Sequence, residues 1–179
     1  MEQVGYFRSP VGIYKITADD YGLTSLTLQE ATENAPDLSE QDNNPRKLSG
    51  SHGSSRHIRE CIAWLETYFS DFSSLEEAKI PDINTREHES KPFCRKVWEI
   101  LKDRVKAGEI VTYGHLAKMA GNPKGARAVG FAMKSNPISI IVPCHRVVKS
   151  GGDLGNYSSP NGVTTKKWLL QHENAISGN

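Results

Sequence analysis

The residue types in the 179-residue chain that are best suited to nucleophilic chemistry are Cys144, His145 and Arg146, which follow one another directly. The apolar run at residues 138–142, followed by Pro143, predicts a short extended segment that delivers the cysteine to a buried position. A neighbouring cation favours the thiolate form, so the triplet suggests a nucleophilic thiol. A lone buried cysteine is usually an inert core residue, and both interpretations of Cys144 stay open at this point.

A nucleophilic cysteine needs a base, and His145 is the adjacent candidate. Neighbouring residues on a helix do not face one another, so we expect one water molecule to relay the proton from Cys144 to His145. A third group should hold the imidazole in the orientation that accepts this proton. Cys144 and His145 are therefore only part of the predicted site.

Positive charge is concentrated around this cysteine. The chain has 22 Lys and Arg against 21 Asp and Glu, and its net charge of +1 does not by itself indicate a nucleic-acid-binding protein. Residues 1–93 nevertheless have a net charge of −7, and residues 94–150 have a net charge of +8. This asymmetry predicts two modules, of which the second prefers polyanions.

Three helices are predicted within the basic module. Apolar spacing indicates one helix over residues 93–105, a short one after Thr112, and a third over residues 126–135. The turn Gly121-Asn122-Pro123 separates the second helix from the third. Two short helices joined by a tight turn suggest a helix-turn-helix, although any small helical domain has such a corner, and the local positive charge favours the DNA-binding interpretation.

The first module is predicted to be a sheet covered by a helix. An amphipathic helix is indicated over residues 57–72, and residues 29–54, with only four apolar residues, predict a mobile loop. Alternating apolar and polar residues predict an antiparallel meander of three strands, over residues 5–8, 12–17 and 23–28.

Residues 80–91 have little periodicity and predict a linker, which divides the chain into domains 1–91 and 92–179. A hydrophobic content of 37% excludes global disorder. Three cysteines without paired spacing, an N-terminus without a signal-peptide pattern and the lack of an apolar run of about 18 residues argue against a disulfide scaffold, secretion and a membrane span. We therefore expect a soluble intracellular protein.

Several motifs follow one another in unbroken order over residues 92–174. They are Val111-Thr112-Tyr113-Gly114, Ala120-Gly121-Asn122-Pro123, Arg127-Ala128-Val129-Gly130, Asn136-Pro137, Pro143-Cys144-His145-Arg146-Val147-Val148, Gly155-Asn156-Tyr157-Ser158 and Lys167-Trp168-Leu169-Leu170-Gln171-His172-Glu173. With these motifs the chain resembles the O6-alkylguanine-DNA alkyltransferase family. The resemblance implies an α+β fold, with a small N-terminal α/β domain around an antiparallel, RNase H-like sheet and a mainly helical C-terminal domain of the winged-helix-like helix-turn-helix type.

The resemblance also implies a set of catalytic residues. Cys144 would accept the alkyl group of O6-alkylguanine as a thioether, once per molecule and without a cofactor, and O4-alkylthymine would be a second substrate. His145 would be the general base acting through water, and Glu173 would orient and stabilise its imidazolium. Tyr113 would donate a proton toward the departing guanine, and Asn136 would brace the helix against the active-site strand.

Further residues would bind double-stranded DNA and the extruded base. Arg127 would enter the base stack from the minor groove, and small side chains beside it would let the helix approach the groove closely. The DNA-binding set implied is Arg127, Ala126, Ala128, Gly130, Thr112 and Tyr113, and the base pocket is Val147, Tyr157, Ser158, Ser139 and Met133. The resemblance implies a monomer, in the nucleus of a eukaryotic cell or in the cytoplasm or nucleoid of a bacterial or archaeal one.

Two departures from the family pattern concern the pocket. Ser139 stands where many members have a proline. The segment 158–167 is one residue longer, which puts in question the geometry of the lid, the loop of residues 155–158 that by the resemblance would cover the base. Some members hold a structural zinc in the N-terminal domain, but residues 1–51 contain no Cys or His. Because His57, Cys61 and His88 are too few for a tetrahedral site, we expect no zinc.

Two alternatives have different mechanisms. An alkyltransferase-like protein binds alkylated DNA without repairing it, and such proteins lack the cysteine that this chain has at position 144. A helix-turn-helix regulator would use Cys144 as a redox thiol and would read the major groove, but that interpretation gives Glu173 and the Tyr157 loop no role.

Overall fold

A computed structural model describes residues 2–30, 46–47, 55–84 and 86–178 of the chain. The chain divides into two compact units, residues 1–84 and residues 85–179. The domain boundary that we expected from the sequence, after residue 91, lies further along the chain. Both units combine helices with short or regular strands, so the predicted α+β class is confirmed.

The first unit is built on an antiparallel sheet. Its three main strands are β1 (Gln3–Ser9), β2 (Gly12–Ala18) and β3 (Leu23–Leu28), which confirm the predicted meander. A two-residue strand, β4 (Arg46–Lys47), pairs with β1 and gives the order β3-β2-β1-β4. The rest of the loop that we predicted over residues 29–54 lies outside the described residues from 31 onward.

One helix, α1 (Arg56–Ser70), covers this sheet and confirms the predicted amphipathic helix. It begins where the Ser55 hydroxyl accepts a hydrogen bond from the backbone N–H of Ile58, at 3.2 Å. The Phe69 ring packs against Phe7 and Tyr14, with centroids 6.0 and 6.3 Å apart. The buried stripe consists of Ile58, Cys61, Ile62, Trp64, Leu65, Tyr68 and Phe69.

The start of the predicted linker belongs to the first unit. Leu23 donates its backbone N–H to the carbonyl of Asp82 at 2.8 Å and accepts from the N–H of Asn84 at 2.9 Å. The bridge so formed is parallel to β3. The prediction of a linker from residue 80 was therefore wrong for residues 82–84, because backbone pairing at a sheet edge leaves no periodic signal in so short a segment.

The second unit contains the helices that we predicted in the basic module. They are α2 (Pro92–Arg104), α3 (Tyr113–Met119) and α4 (Ala126–Lys134), and α3 and α4 form the helix-turn-helix. In the connecting turn a Cβ at Gly125 would lie 2.5 Å from Nδ2 of Asn122, so a larger residue there would require the Asn122 side chain to move. The indole N–H of Trp98 donates to the carbonyl of Ala132 at 2.8 Å and ties α2 to α4.

The segment before the cysteine is a buried turn, so the prediction of an extended run over residues 138–142 was wrong. The backbone N–H of Val142 donates back to the carbonyl of Ile138 at 3.0 Å. Ile140 has φ of 68°, a left-handed conformation that a β-branched residue rarely adopts, and its side chain is buried. The four apolar residues of this segment resemble a strand in sequence, but here their burial stabilises a strained turn.

The turn leads into a single 3₁₀ turn, Cys144–Arg146, and then into β6 (Val147–Val148), which pairs in parallel with β5 (Val111–Thr112). The last helix is α5 (Gly162–His172), and Glu173 is its C-cap residue. Across the described residues, no helix combines the length and the apolar character needed to span a membrane.

Candidate active site

Cys144 lies at the wall of a cavity of about 440 Å³ in the second unit. Its side chain is almost entirely buried, with 9% of the residue exposed, and its thiol is free of any disulfide. A cavity of this size is in the range that small organic ligands occupy. It is lined by Tyr113, Gly130, Met133, Lys134, Cys144, Lys149, Asn156, Tyr157 and Ser158.

Burial raises the pKa of the Cys144 thiol above its ordinary value, because the thiolate loses solvation. Hydrogen bonding from Asn136 and the positive charge of Lys166 act in the opposite direction and lower this pKa. The sequence suggested that Arg146 would favour the thiolate, but its guanidinium is engaged elsewhere. The resting cysteine is therefore a thiol that needs a base.

His145, Glu173 and Arg146 form a buried ion cluster next to this cysteine in the chain. Nε2 of His145 lies 2.7 Å from Oε1 of Glu173. The Arg146 guanidinium donates to both carboxylate oxygens of Glu173, at 2.8 Å each, and to the carbonyl of Val105 at 2.7 Å. Glu173, which the sequence alone would place on a solvated helix end, is only 1% exposed.

The cluster determines which imidazole nitrogen can act as a base. Despite burial, the hydrogen bonds from His145 and Arg146 and the positive charge of Arg146 hold the pKa of Glu173 far below its usual range, so the carboxylate is ionised and can only accept hydrogen bonds. Nε2 of His145 is therefore the nitrogen that bears a proton, and Nδ1, which is buried without a hydrogen-bond partner, keeps its lone pair. Burial lowers the pKa of His145, so the imidazole is neutral and competent as a base at neutral pH.

Lys166 is a functional candidate that the sequence reasoning missed. It lies on the buried side of α5 with 0% exposure and donates from Nζ to the carbonyl of Val147 at 2.6 Å. Burial lowers its pKa to about 8, while the Cys144 thiolate opposes that shift. Its spacing of three and four residues from Leu169 and Leu170, both buried, is the signal that could have placed it on the apolar stripe.

Tyr113 stands at the first position of α3 and lines the cavity with Cys144. Burial and the proximity of Cys144 raise the pKa of its phenol, which keeps the hydroxyl protonated and able to donate at neutral pH. Gly155, with φ of 73°, brings the lid close to Tyr113, because a Cβ on Gly155 would lie 3.6 Å from the Tyr113 hydroxyl. Tyr157 and Ser158 line the cavity from the same loop.

Asn136 holds the turn that presents the cysteine. Its Nδ2 donates to the carbonyl of Val142 at 2.8 Å, and its Oδ1 accepts from the backbone N–H of Ile138 at 3.0 Å. The sequence reasoning expected it to brace a strand, but the braced element is a turn. Asn136 thus bridges the strained segment around Ile140 and also lowers the pKa of Cys144 through hydrogen bonding.

Only some of the other predicted pocket residues line the cavity. Met133, Tyr157 and Ser158 line the cavity, whereas Val147 and Ser139 are not among its lining residues. The carbonyl of Val147, a residue of the predicted base pocket, accepts from Nζ of Lys166. Because a carbonyl oxygen has two lone pairs, one acceptor position remains there. Lys134, Lys149 and Asn156 also line the cavity, and none of them was assigned a role in the site from the sequence.

The residues expected to bind DNA lie on α3 and α4. Arg127 is exposed, Ala126 and Ala128 are half-buried, and Gly130 lines the cavity. The Thr112 hydroxyl caps α3 by accepting from the backbone N–H of His115 at 3.2 Å. Residues 110–150 include six Lys or Arg and no Asp or Glu, so the helix-turn-helix and the cysteine share a strongly cationic part of the chain.

A separate group of possible metal ligands lies in the first unit. His57, Glu60 and Asp82 each offer one ligand atom, and these atoms lie within 4.8 Å of one another. Arg56 and Lys79 both contact Oε1 of Glu60, at 2.8 and 3.5 Å, and would compete with a cation. The set differs from the Cys and His residues considered from the sequence, and the expected absence of zinc stays a prediction.

A buried cysteine at a cavity, backed by a His–Glu pair and beside a cationic helix-turn-helix, defines a class of DNA-binding protein with a reactive thiol. Residues 92–175 match the family model described as the 6-O-methylguanine DNA methyltransferase DNA binding domain. The methylated-DNA–protein-cysteine methyltransferase of Rattus norvegicus is 41% identical over 171 residues, covering 95% of this chain and 81% of the relative. That of Methanosarcina acetivorans is 35% identical over 169 residues, covering 93% and 95%.

Solved structures give the same result. Mycobacterium tuberculosis OGT in complex with DNA matches with a TM-score of 0.69 and 27% identity, over 95% of this chain and 91% of that one. The O6-methylguanine-DNA methyltransferase of Pyrococcus kodakaraensis matches with a TM-score of 0.60 and 29% identity, over 97% and 99%. The chain belongs to the methylated-DNA–protein-cysteine methyltransferase family.

Proposed function

We propose that this protein repairs double-stranded DNA by transferring the alkyl group of O6-alkylguanine, and of O4-alkylthymine, to Cys144. The observation that supports it most is that Cys144 and Tyr113 line the same cavity. His145, the residue that follows Cys144 in the chain, pairs with Glu173. The protein acts as a monomer and is consumed in the reaction, because a thioether lies outside the thiol states that cells readily reverse. A DNA substrate implies an intracellular location, nuclear in a eukaryote and in the cytoplasm or nucleoid of a prokaryote.

The first step activates the thiol. Nδ1 of His145 accepts the proton of Cys144 through one water molecule, and Glu173 stabilises the imidazolium that forms. Lys166 and Asn136 stabilise the thiolate, since both lower the pKa of Cys144. The buried thiolate thus forms only when base and cation act together, which protects the resting thiol from side reactions.

The second step is a displacement at the alkyl carbon. A bond forms between the Cys144 sulfur and the alkyl carbon as the bond from that carbon to guanine O6 breaks. The electron pair stays on guanine, and the Tyr113 hydroxyl donates a proton to the departing ring; the imidazolium of His145 supplies the proton that restores the phenol. The raised pKa of Tyr113 keeps this proton available at neutral pH.

Access to the buried sulfur requires that the nucleotide leave the duplex. Arg127, exposed on α4, is positioned to fill the place of the extruded nucleotide. A Cβ built on Gly130 would meet no atom within 4 Å, so the helix surface beside Arg127 is open to a close approach of the minor groove.

The test is the intact mass of the protein after incubation with a duplex that contains one O6-methylguanine. We expect one added methyl group per chain for the wild type and none for Cys144→Ala. An unchanged mass for the wild-type protein would refute alkyl transfer. Binding of the methylated duplex without a mass change would favour the alkyltransferase-like alternative, whereas a reversible mass change on oxidation alone would favour the redox regulator.

A further inference from the structure

The DNA-facing helix α4 exposes a phenylalanine. Phe131 is 57% exposed, although its burial within the protein would be favourable for so large an apolar side chain. Arg127 lies four residues before it and Lys134 three residues after it, and both are exposed. Since residues three and four apart share a helix face, the outer face of α4 presents cation, aromatic ring and cation in turn.

The order of residues around α4 shows where this ring lies. Each residue turns the helix by about 100°, so Phe131 lies about 40° beyond Arg127, whereas Gly130 lies about 60° from Arg127 in the opposite direction. Gly130 and Lys134 line the cavity that contains Cys144. Phe131 is therefore on the side of Arg127 that faces away from the cavity mouth.

The surroundings of Phe131 identify its partner by charge. The segment 110–150, which includes both helices of the helix-turn-helix, has six basic residues and no acidic ones. Such a surface favours a polyanion, and a phenylalanine flanked by cations matches the apolar wedges that minor-groove proteins place between base pairs. A single exposed apolar residue in a mixed-charge surface would carry no such meaning.

We propose that Phe131 is an apolar wedge that enters the minor groove of duplex DNA and contacts the base pair next to the extruded nucleotide. It does so on the side of Arg127 that faces away from the cavity mouth. The inference rests on the proposed function, because it takes α4 as the helix that enters the groove. Arg127 fills the position of the lost base, and the ring of Phe131 stacks on the neighbouring pair that extrusion exposes. The ring thus favours the extruded state without contacting the reacting atoms.

The experiment compares Phe131→Ala with the otherwise unchanged protein in binding to a duplex that contains one O6-methylguanine, by fluorescence anisotropy over a series of salt concentrations, with Cys144→Ala in every protein so that no methyl group is transferred. Loss of one stacking contact is expected to weaken binding about tenfold. The slope of log affinity against log salt should stay the same, because no phosphate contact is removed. Tyr21→Ala is the matched control, since Tyr21 is an aromatic residue with 59% exposure in the first unit, and it should bind as the wild type does.

A second measurement distinguishes a wedge from a passive contact. A 2-aminopurine placed beside the O6-methylguanine becomes fluorescent on unstacking, and we expect the increase with the wild type to be larger than with Phe131→Ala. Phe131→Leu should restore part of the affinity, because leucine retains an apolar wedge. Equal affinity for the wild type and Phe131→Ala, or a changed salt slope, would overturn the proposal.

Failure of this inference can be told apart from failure of the proposed function. Methyl transfer from free O6-methylguanine base, followed over hours by intact mass, needs no DNA and should be the same for Phe131→Ala and the wild type. Loss of that transfer in Phe131→Ala would contradict a role confined to DNA. A wild type that transfers no methyl from the duplex would refute the proposed function itself.

Discussion

Two buried cysteines in this protein show how surroundings decide reactivity. Cys61 lies on the apolar side of α1 with 0% exposure, and burial alone raises the pKa of its thiol very far. Cys144 is also buried, but Asn136 and Lys166 oppose the effect of burial on its pKa. Burial of a cysteine is thus compatible with both an inert core residue and a nucleophile, and the polar neighbours make the difference.

The largest effect on the reactive cysteine is expected from its base. Glu173→Gln removes the charge that pairs with His145 and Arg146, so the imidazolium is no longer stabilised. We expect the single-turnover rate of methyl transfer from duplex DNA to fall at least about a hundredfold, by quench-flow or timed mass analysis.

The same variant leaves Arg146 as a buried charge without its carboxylate, and unfolding by urea should show a loss of about 3 kcal/mol. Glu173 has a lowered pKa in the fold, so the wild type should lose this stability as the pH falls below the usual carboxyl value of 4.5, and the variant should lack that dependence. Glu99→Gln, at an exposed position of α2, is the control. A variant rate within threefold of the wild type would exclude Glu173 from the relay.

A smaller effect is expected from Lys166→Met. Methionine fills the buried site without a charge, so the pKa of Cys144 should rise and the transfer rate at pH 7 should fall about tenfold, equivalent to one pKa unit. Lys166 loses its own proton as the pH passes about 8, so the ratio of wild-type to variant rates should be largest below pH 8 and approach one above it. A pH–rate profile measures this ratio.

Lys167→Met is the matched control, because Lys167 is the exposed neighbour in the same helix. If both variants slowed transfer equally, or if the ratio for Lys166→Met did not change with pH, the electrostatic role of Lys166 would be excluded.

The turn before the cysteine offers a third test. Asn136→Ala removes the hydrogen bonds to Val142 and Ile138 that hold the left-handed residue Ile140 in place. We expect the free energy of unfolding to fall by about 1–3 kcal/mol and transfer to slow a few-fold, measured by urea denaturation and by timed mass analysis. Unchanged stability would show that packing alone holds the turn.

The smallest effect on transfer is expected at the inert cysteine. Cys61→Ala removes a buried sulfur from the α1 stripe, so thermal unfolding should show a destabilisation of about 1–2 kcal/mol. The rate of methyl transfer should not change, because Cys61 belongs to the first unit, whereas every residue assigned to the site belongs to the second. A loss of transfer in a folded Cys61→Ala protein would show that Cys61 is not an inert core residue.

Sequence periodicity was sufficient for the elements that surround the site. The spacing in α1 and the turn before α4 were predicted because an apolar face and a tight glycine turn leave local signals. The turn at residues 138–142 was not predicted, since an apolar run favours a strand and a left-handed isoleucine contradicts local preference.

The residues of the site also differ in how far the sequence alone predicts them. The adjacency of Cys144 and His145 is visible in the sequence, but Glu173 lies 28 positions from His145 and was found only through the family resemblance. Lys166 was missed because lysine is rarely fully buried. Long-range pairing of buried charges leaves no periodic pattern, so it needs the folded structure.

Peptide mapping tests directly whether Cys144 alone accepts the alkyl group. After reaction with a duplex containing O6-methylguanine, trypsin places the three cysteines on different peptides, because Lys and Arg lie between them. We expect one methyl group per reacted chain, on the peptide that contains Cys144. A methyl group on Cys61 or Cys94, or on no cysteine, would contradict this expectation.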